Sequence, residues 1–178
     1  MRRLLLIAVL VPALALAACG GSGAKDEQPA SPATATATPD TAAAVDALAA
    51  GISKKTKTKP QIPAPQGDPP AQLVKRDIVP GKGKVAKAGS QVRVQYVGVS
   101  WSTGQEFDAS WDHGQAFTFQ LGAGMVIPGW DQGVAGMREG GRRMLVIPPD
   151  LGYGAAGSPP AIGPNETLVI VVDLESVG

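Results

Sequence analysis

Aromatic residues are scarce and unevenly spread in this 178-residue chain. Only eight occur, and none comes before Tyr96. A segment that has no aromatic and few large aliphatic side chains buries little apolar surface, so it rarely forms a core of its own. We therefore expect the folded unit in the C-terminal part of the chain, where about 105 residues can enclose one modest core.

Cysteine and excess charge are also lacking. Cys19 is the only cysteine, so the folded domain contains no internal disulfide and must be held by its core alone. The formal net charge is only +1, whereas domains that bind nucleic acid usually carry a strongly basic face. The composition therefore argues against nucleic acid as a partner.

The first 18 residues have the pattern of a targeting segment. Arg2 and Arg3 precede Leu4–Ala18, an apolar run of fifteen residues without a charge. A membrane-spanning helix needs about 20 apolar residues, so this run suits the core of a signal peptide better. It ends in Leu-Ala-Ala-Cys, which resembles the cleavage site of bacterial lipoproteins. We expect a signal peptide over 1–18, a lipid anchor on Cys19, and a lipid-anchored location on the extracytoplasmic face of the cell membrane, in the periplasm or at the cell surface.

Residues 19–70 are predicted to be a flexible linker between this anchor and the folded domain. From Gly20 to Pro70 the chain contains eight prolines and no aromatic, which leaves too little apolar surface to offset the entropy of ordering it. Thr41–Ile52 could form a short helix, yet a helix of this length is marginal in water by itself. The lysines of Lys54–Lys59 could contact anionic lipid, but such runs are more often simply solvated.

From Leu73 onward the hydrophobic pattern has a period of two, which is typical of β-strands. Apolar residues alternate over 92–96, 117–121, 144–147 and 168–174. The last segment is apolar on both faces, which predicts a central strand. Pro128–Val134 breaks the alternation and begins with proline, so it predicts one short helix. We predict an α+β domain over 71–178, with an antiparallel sheet packed on that helix.

Six motifs of this region resemble a known family. They lie in order within residues 72–177 and are Gln95–Gly98, Glu106–Ser110, Phe117–Gly122, Val126–Trp130, Gly133–Met137 and Ile147–Gly154. In sequence and spacing they resemble the FKBP-type peptidyl-prolyl cis/trans isomerases. The resemblance implies a curved antiparallel sheet wrapped around the short helix, with the active pocket between them. It also implies isomerisation of Xaa-Pro bonds in polypeptide clients, without a metal or cofactor.

The same resemblance implies roles for individual residues. The backbone N–H of Ile127 and the hydroxyl of Tyr153 are the expected hydrogen-bond donors to substrate carbonyls. Asp108 either polarises the twisting amide or orients Tyr96. Trp130 forms the floor on which the proline ring packs. The other residues expected to contact substrate are Tyr96, Phe107, Phe117, Val126, Ile162 and Ile170, whereas Phe119 is interpreted as core.

A pocket of this kind needs no nucleophile. Rotation about an Xaa-Pro bond is opposed by a barrier of about 18–20 kcal/mol, because resonance flattens the amide. The twisted transition state has lost that resonance and separates less charge than the planar ground state. An apolar cleft that excludes water therefore favours the twisted state.

Some positions depart from the family pattern. Ile170 stands where many members have a large aromatic residue, Leu151 replaces a common tyrosine or phenylalanine, and Ser158 replaces a common histidine. The thinner wall at Ile170 bears more on affinity for macrolides such as FK506 or rapamycin than on isomerase activity. His113, the only histidine, lies where the family often has arginine, and we interpret it as a surface residue.

Two functional classes remain open. The first is an enzyme that accelerates the folding of exported or surface proteins. The second is a binding module or chaperone that holds proline-containing segments with little catalysis. Retention of the residues expected at the pocket, Trp130 and Tyr153 among them, favours the enzyme, since a decayed site should lose some of them.

Overall fold

The structure, a computed structural model, describes residues 39–178. The predictions of a signal peptide over 1–18 and a lipid anchor on Cys19 lie outside the described residues, and so does the first part of the predicted linker. Over the described range the chain forms one antiparallel sheet of six strands and two α-helices. None of the helices in this range is long and apolar enough to cross a membrane.

The elements follow the predicted pattern closely. The helices are α1 (Pro39–Ala50) and α2 (Pro128–Val134). The strands are β1 (Val74–Val79), β2 (Gln91–Ser100), β3 (Glu106–Ala109), β4 (Phe117–Gln120), β5 (Arg142–Ile147) and β6 (Leu168–Val177). Two single turns of 3₁₀ helix, Pro149–Leu151 and Gly154–Ala156, lie in the long loop before β6. The predicted strands and the predicted short helix are confirmed.

The sheet has the order β1-β5-β6-β2-β3, and all of its neighbouring strands are antiparallel. One edge of β2 pairs with β6. Along the other edge, Gln91–Val94 pairs with β4 and Val97–Val99 pairs with β3. Strand β6 is central, as its two apolar faces predict. The sheet is open and curved, so the predicted α+β class and architecture are confirmed.

One face of the sheet packs against α2. Gly129 and Gly133 lie so close to β5 that a Cβ at either position would overlap the side chain of Ile147 or Leu145. The helix can therefore lie directly on the sheet and bury Trp130 beneath it. Further buried residues of this core are Val92, Val94, Phe119, Leu121, Val134, Leu168, Ile170, Val172 and Leu174.

The opposite face of the sheet is covered by residues 39–70, which we call the arm. Val45, Leu48 and Ile52 of the arm are 1%, 5% and 3% exposed. They form a second core with Val99, Trp101, Met144, Val146, Val169 and Val171. The prediction of a flexible linker is therefore wrong for residues 39–70. Helix α1 would be marginal alone, but here its apolar residues gain a sheet to pack on.

Polar contacts also hold the arm. The fully buried guanidinium of Arg142 forms a bidentate ion pair with Asp173, at 2.5 and 2.6 Å. It also donates to the carbonyls of Ser53, at 2.6 Å, and Thr58, at 2.9 Å. A buried ion pair is tolerated only when its remaining hydrogen-bonding groups are satisfied. The arm supplies those acceptors, so the folded unit extends to residue 39 rather than beginning at 71.

Candidate active site

A cleft of about 480 Å³ opens between α2, the loop before it and strands β2, β3, β4 and β6. Its lining residues are Tyr96, Phe107, Asp108, Phe117, Gly124, Met125, Val126, Ile127, Trp130, Tyr153, Leu168 and Ile170. Nine of the ten residues predicted for the pocket are among them. The sequence reasoning missed Gly124, Met125 and Leu168, since no polar group or aromatic ring distinguishes them.

Aromatic rings form one side of the cleft. Trp130 is 6% exposed, and its ring meets those of Tyr96 and Phe117 edge to face, with centroids 5.0 and 6.0 Å apart. Edge-to-face pairs at such distances are favourable beyond the area that they bury. Phe119 packs behind them and is 1% exposed, which confirms its interpretation as core. The result is a fixed apolar surface that a small ring can pack on.

Phe107 contributes a second wall of the cleft, and its position depends on a glycine of the neighbouring strand. The ring of Phe107 lies over Gly98 of β2, where any Cβ would overlap it. Gly98 pairs with Asp108 in the sheet register, so the ring folds back across the strand pair. Gly98, the last residue of the motif Gln95–Gly98, is therefore required by this close approach.

Asp108 is held by two partners at the edge of the cleft. Its Oδ2 accepts a hydrogen bond from the Tyr96 hydroxyl at 2.5 Å, and its Oδ1 lies 2.9 Å from Nε2 of His113. Partial burial opposes ionisation of Asp108, but the bonds from Tyr96 and His113 outweigh it and hold its pKa below the ordinary value. Burial and the Asp108 carboxylate raise the pKa of Tyr96 well above its usual range.

His113 is 61% exposed at its side chain, which confirms that it lies at the surface. The sequence reasoning missed its contact with Asp108, because a spacing of five residues across a turn does not reveal which side chains meet. His113 and Tyr96 together occupy both oxygens of the carboxylate. They therefore fix the orientation of Asp108 relative to the cleft.

Two hydrogen-bond donors line the cleft without a partner in the described part of the chain. Ile127 precedes α2, and its carbonyl accepts from the N–H of Trp130 at 2.9 Å. Within residues 39–178, neither the N–H of Ile127 nor the hydroxyl of Tyr153 forms a hydrogen bond. Tyr153 is 42% exposed. Both groups are thus available to carbonyl oxygens of a bound peptide.

The loop that leads into the cleft is fixed by Asp131, a residue that the sequence reasoning missed. Its carboxylate accepts hydrogen bonds from the N–H of Gly122 at 2.8 Å and of Gly124 at 3.1 Å. An acidic residue in the first turn of a helix, a few residues after two glycines, is the signal that could have found it. Asp131 thereby positions Met125, Val126 and the donor at Ile127.

Ile162 is the one predicted pocket residue that lies outside the lining. It is 4% exposed and belongs to the core beneath the long loop. Reciprocal backbone hydrogen bonds at 2.9 Å between Ser158 and Ile162 turn the loop back on itself and direct the side chain into that core. In this structure Ile162 packs in the core, and its predicted contact with substrate stays a prediction.

The arrangement defines a class of site: an apolar, aromatic-walled cleft with two available donors and one oriented carboxylate. Across residues 39–178 no group of three or more histidine, cysteine, aspartate or glutamate residues is placed to hold a metal ion. The family model of the FKBP-type peptidyl-prolyl cis-trans isomerases matches residues 82–175. The chain belongs to this family.

Individual relatives agree with the family match. The chain is 57% identical to the FK506-binding protein of Streptomyces anulatus over 120 residues, which cover 67% of this chain and 97% of that protein. It is 48% identical to the probable FK506-binding protein of Corynebacterium glutamicum over 118 residues, which cover 66% and 98%. The crystal structure of AtFKBP13 matches with a TM-score of 0.56 and 35% identity, covering 60% of this chain and 93% of that one.

Proposed function

We propose that this protein catalyses the cis/trans isomerisation of Xaa-Pro bonds in exported or surface polypeptides. The observation that carries the proposal is the pair of donors, the N–H of Ile127 and the hydroxyl of Tyr153, that line an apolar cleft without partners in the described chain. Membership of the family leads us to expect this type of reaction, and the cleft can lower its barrier by a physical mechanism.

The route follows from the physical difference between the planar and the twisted amide. The proline ring of the substrate packs on Trp130, and the flanking carbonyls accept hydrogen bonds from Ile127 and Tyr153. The walls exclude water, which would stabilise the charge-separated planar amide more than the twisted one. Because the twisted amide binds better than either planar isomer, the barrier falls in both directions.

Asp108 adds a polar element to this route. Its carboxylate stays ionised because Tyr96 and His113 hydrogen bond to it. We propose that it acts through Tyr96, whose ring packs against Trp130 at 5.0 Å, and thereby keeps the floor of the cleft in one orientation. A direct effect of the charge on the twisting amide is the second route by which Asp108 could act.

Location and clients form a separate part of the proposal. The cysteine at the end of an apolar run, Cys19, supports cleavage before it and a lipid anchor on it. Two acyl chains on one residue are enough for lasting membrane attachment. Clients would then be polypeptides that fold outside the cytoplasm. Intact-mass spectrometry tests this, because a mature mass without added lipid would refute the anchor.

Macrolides are proposed as a second class of ligand for the same cleft. The relative from Streptomyces anulatus is named an FK506-binding protein, and the relative from Corynebacterium glutamicum is named a probable one. Ile170 lines the cleft where a larger ring would give a macrolide more contact, so we propose weaker binding of FK506 or rapamycin than in relatives with an aromatic residue there. Competition between FK506 and a proline peptide tests the shared site.

The direct test of catalysis is NMR exchange spectroscopy on a short Xaa-Pro peptide with and without the protein. The proposal predicts faster cis/trans exchange at substoichiometric protein. Unchanged exchange together with peptide chemical-shift changes would support the alternative, a module that binds proline segments without catalysis. Unchanged cis/trans exchange without any change in the peptide chemical shifts would contradict both functions.

A further inference from the structure

The side chain of Lys59 joins the arm to the segment 106–112 beside the cleft. Nζ of Lys59 lies 2.8 Å from Oε1 of Glu106 and 2.7 Å from Oδ2 of Asp112. Glu106 begins β3 and Asp112 lies in the turn after it, so the two carboxylates lie on either side of Phe107 and Asp108 along the chain. One cation therefore bridges both ends of the segment that forms a wall of the cleft.

The backbone of Lys59 is fixed on both sides by the rest of the fold. The carbonyl of Thr58, the preceding residue, accepts a hydrogen bond of 2.9 Å from the buried Arg142. Pro60, the next residue, is buried. A continuous set of contacts thus runs from the Arg142–Asp173 pair inside the sheet, through Thr58, to the carboxylates beside the cleft.

This geometry distinguishes Lys59 from an ordinary surface ion pair. Exposed pairs contribute little, partly because two mobile side chains must be ordered to make them. Here the backbone of the lysine is already fixed, and three hydrogen bonds of 2.7–2.8 Å hold the ammonium. Hydrogen bonds to Asp112 and Glu106 raise the pKa of Lys59, so the ammonium stays charged at neutral pH. Without it the two carboxylates would face each other uncompensated.

We propose that Lys59 is a positioning residue of the site, which fixes the 106–112 segment and so sets where Phe107 and Asp108 stand in the cleft. The inference rests on the proposed isomerase function for its catalytic consequence. It extends the functional unit beyond the residues that the family model matches, since the arm ends before residue 82. The arm is then both a cover for the sheet and a contributor to the site.

The test compares charge removal at two lysines of the same arm in the full chain. Lys59→Met removes the bridge, whereas Lys57→Met removes an equal charge from an exposed neighbour two residues away. We expect about a threefold loss of kcat for Lys59→Met, with KM unchanged because the Trp130 floor is intact. Lys57→Met should match the parent chain, and Lys59→Arg should recover most of the loss.

Salt provides a readout that a purely structural role would not give. Exposed charges are screened at about 1 M salt, where the Debye length is about 3 Å. The kcat of the parent chain should fall toward that of Lys59→Met as the salt concentration rises. The kcat of Lys59→Met should depend less on salt, because this variant has no bridge to screen. Equal salt dependence in the two proteins would overturn the proposal.

Amide hydrogen exchange tests, independently of catalysis, whether Lys59 fixes the 106–112 segment. Mass-spectrometric hydrogen exchange of the peptide that covers 106–113 should be faster in Lys59→Met than in Lys57→Met. A parent chain without isomerase activity would refute the proposed function, and the exchange comparison would still test the bridge. Unchanged exchange, or faster exchange with unchanged kcat in an active protein, would overturn the positioning role.

Discussion

The two faces of the sheet are built from alternate residues of the same strands, yet the elements that cover them differ. On β6, Ile170 and Val172 point toward α2 and the cleft, whereas Val169 and Val171 point toward the arm. The α2 face keeps a cavity, two available donors and an oriented carboxylate. The arm face is filled by aliphatic side chains together with Trp101, and a buried ion pair closes it.

The family model matches the residues of the cleft but not those that cover the opposite face. Residues 82–175, which the family model matches, include every lining residue of the cleft. The cover of the other face comes from residues 39–70, before the match begins. Substitutions of buried residues on the arm face should therefore change stability far more than chemistry, and substitutions at the cleft should do the reverse.

The largest effect is expected where the arm meets the buried charge. Arg142→Met leaves Asp173 buried without its partner and also removes two hydrogen bonds to the arm. Losing one partner of a buried pair costs about 3–5 kcal/mol of unfolding free energy. Urea denaturation should show a loss of this size. A loss below about 1 kcal/mol would mean that the pair is hydrated rather than buried.

A core substitution on the arm gives the next largest effect. Leu48→Ala removes a side chain that is 5% exposed and packs in the second core. Leucine-to-alanine changes at buried sites cost about 2–5 kcal/mol, and a site at the edge of the core should fall at the lower end. Denaturation should show this loss while kcat stays near that of the parent chain. An unaltered midpoint would indicate that the arm is detached in solution.

At the cleft the expected effect moves from stability to activity. Asp108→Leu removes the acceptor of the Tyr96 hydroxyl and the charge beside the cleft. We expect about a tenfold loss of kcat/KM, equivalent to about 1.4 kcal/mol of transition-state stabilisation. NMR exchange spectroscopy measures it, with His113→Gln as the comparison that spares the carboxylate. Full activity in Asp108→Leu would remove Asp108 from the mechanism.

A smaller loss is expected for the hydroxyl donor. Tyr153→Phe keeps the ring in the lining and removes only its hydrogen bond to substrate. One such bond contributes about 1 kcal/mol net, which corresponds to about a fivefold loss of kcat/KM. The same assay measures it, and the urea midpoint should not change because the hydroxyl has no partner within residues 39–178. A lower urea midpoint for Tyr153→Phe would contradict the absence of a hydrogen-bond partner for this hydroxyl within residues 39–178.

The smallest effect concerns pH. The pKa of Asp108 is lower in the folded protein than its ordinary value. Its contribution to stability is therefore complete above the unfolded pKa of about 4 and is lost as pH falls through the lower folded value. Because the side chain is 39% exposed, we expect less than about 1 kcal/mol. Denaturation of the parent chain and Asp108→Asn at about pH 5 and pH 3 measures the difference.

The sequence allowed the α2 face to be predicted almost completely. Alternation identified four of the six strands, β2, β4, β5 and β6, and the motif resemblance predicted nine of the residues that line the cleft. What it could not reveal were contacts across turns and loops. The pairing of His113 with Asp108 and the inward turn at Ile162 depend on backbone paths that residue spacing does not specify.

The error on the arm has a different cause. The prediction considered residues 39–70 alone and found too little apolar surface, which is true of the isolated segment. The second apolar row of β5 and β6 also needs a cover, and it consists of Met144, Val146, Val169 and Val171. A sheet that is apolar on both faces needs a cover on both. Few aliphatic residues suffice when the sheet supplies the rest of the core.

The central claim is that the arm and the cleft belong to one cooperative unit. NMR-detected native-state hydrogen exchange of the intact protein tests it most directly, through the amides of α1 and of the central strand β6. The account predicts that Val45 and Leu48 exchange with protection close to that of Val171 and Val172, since all four are buried in one fold. Exchange of the α1 amides at the rate of a free peptide, with β6 still protected, would contradict it.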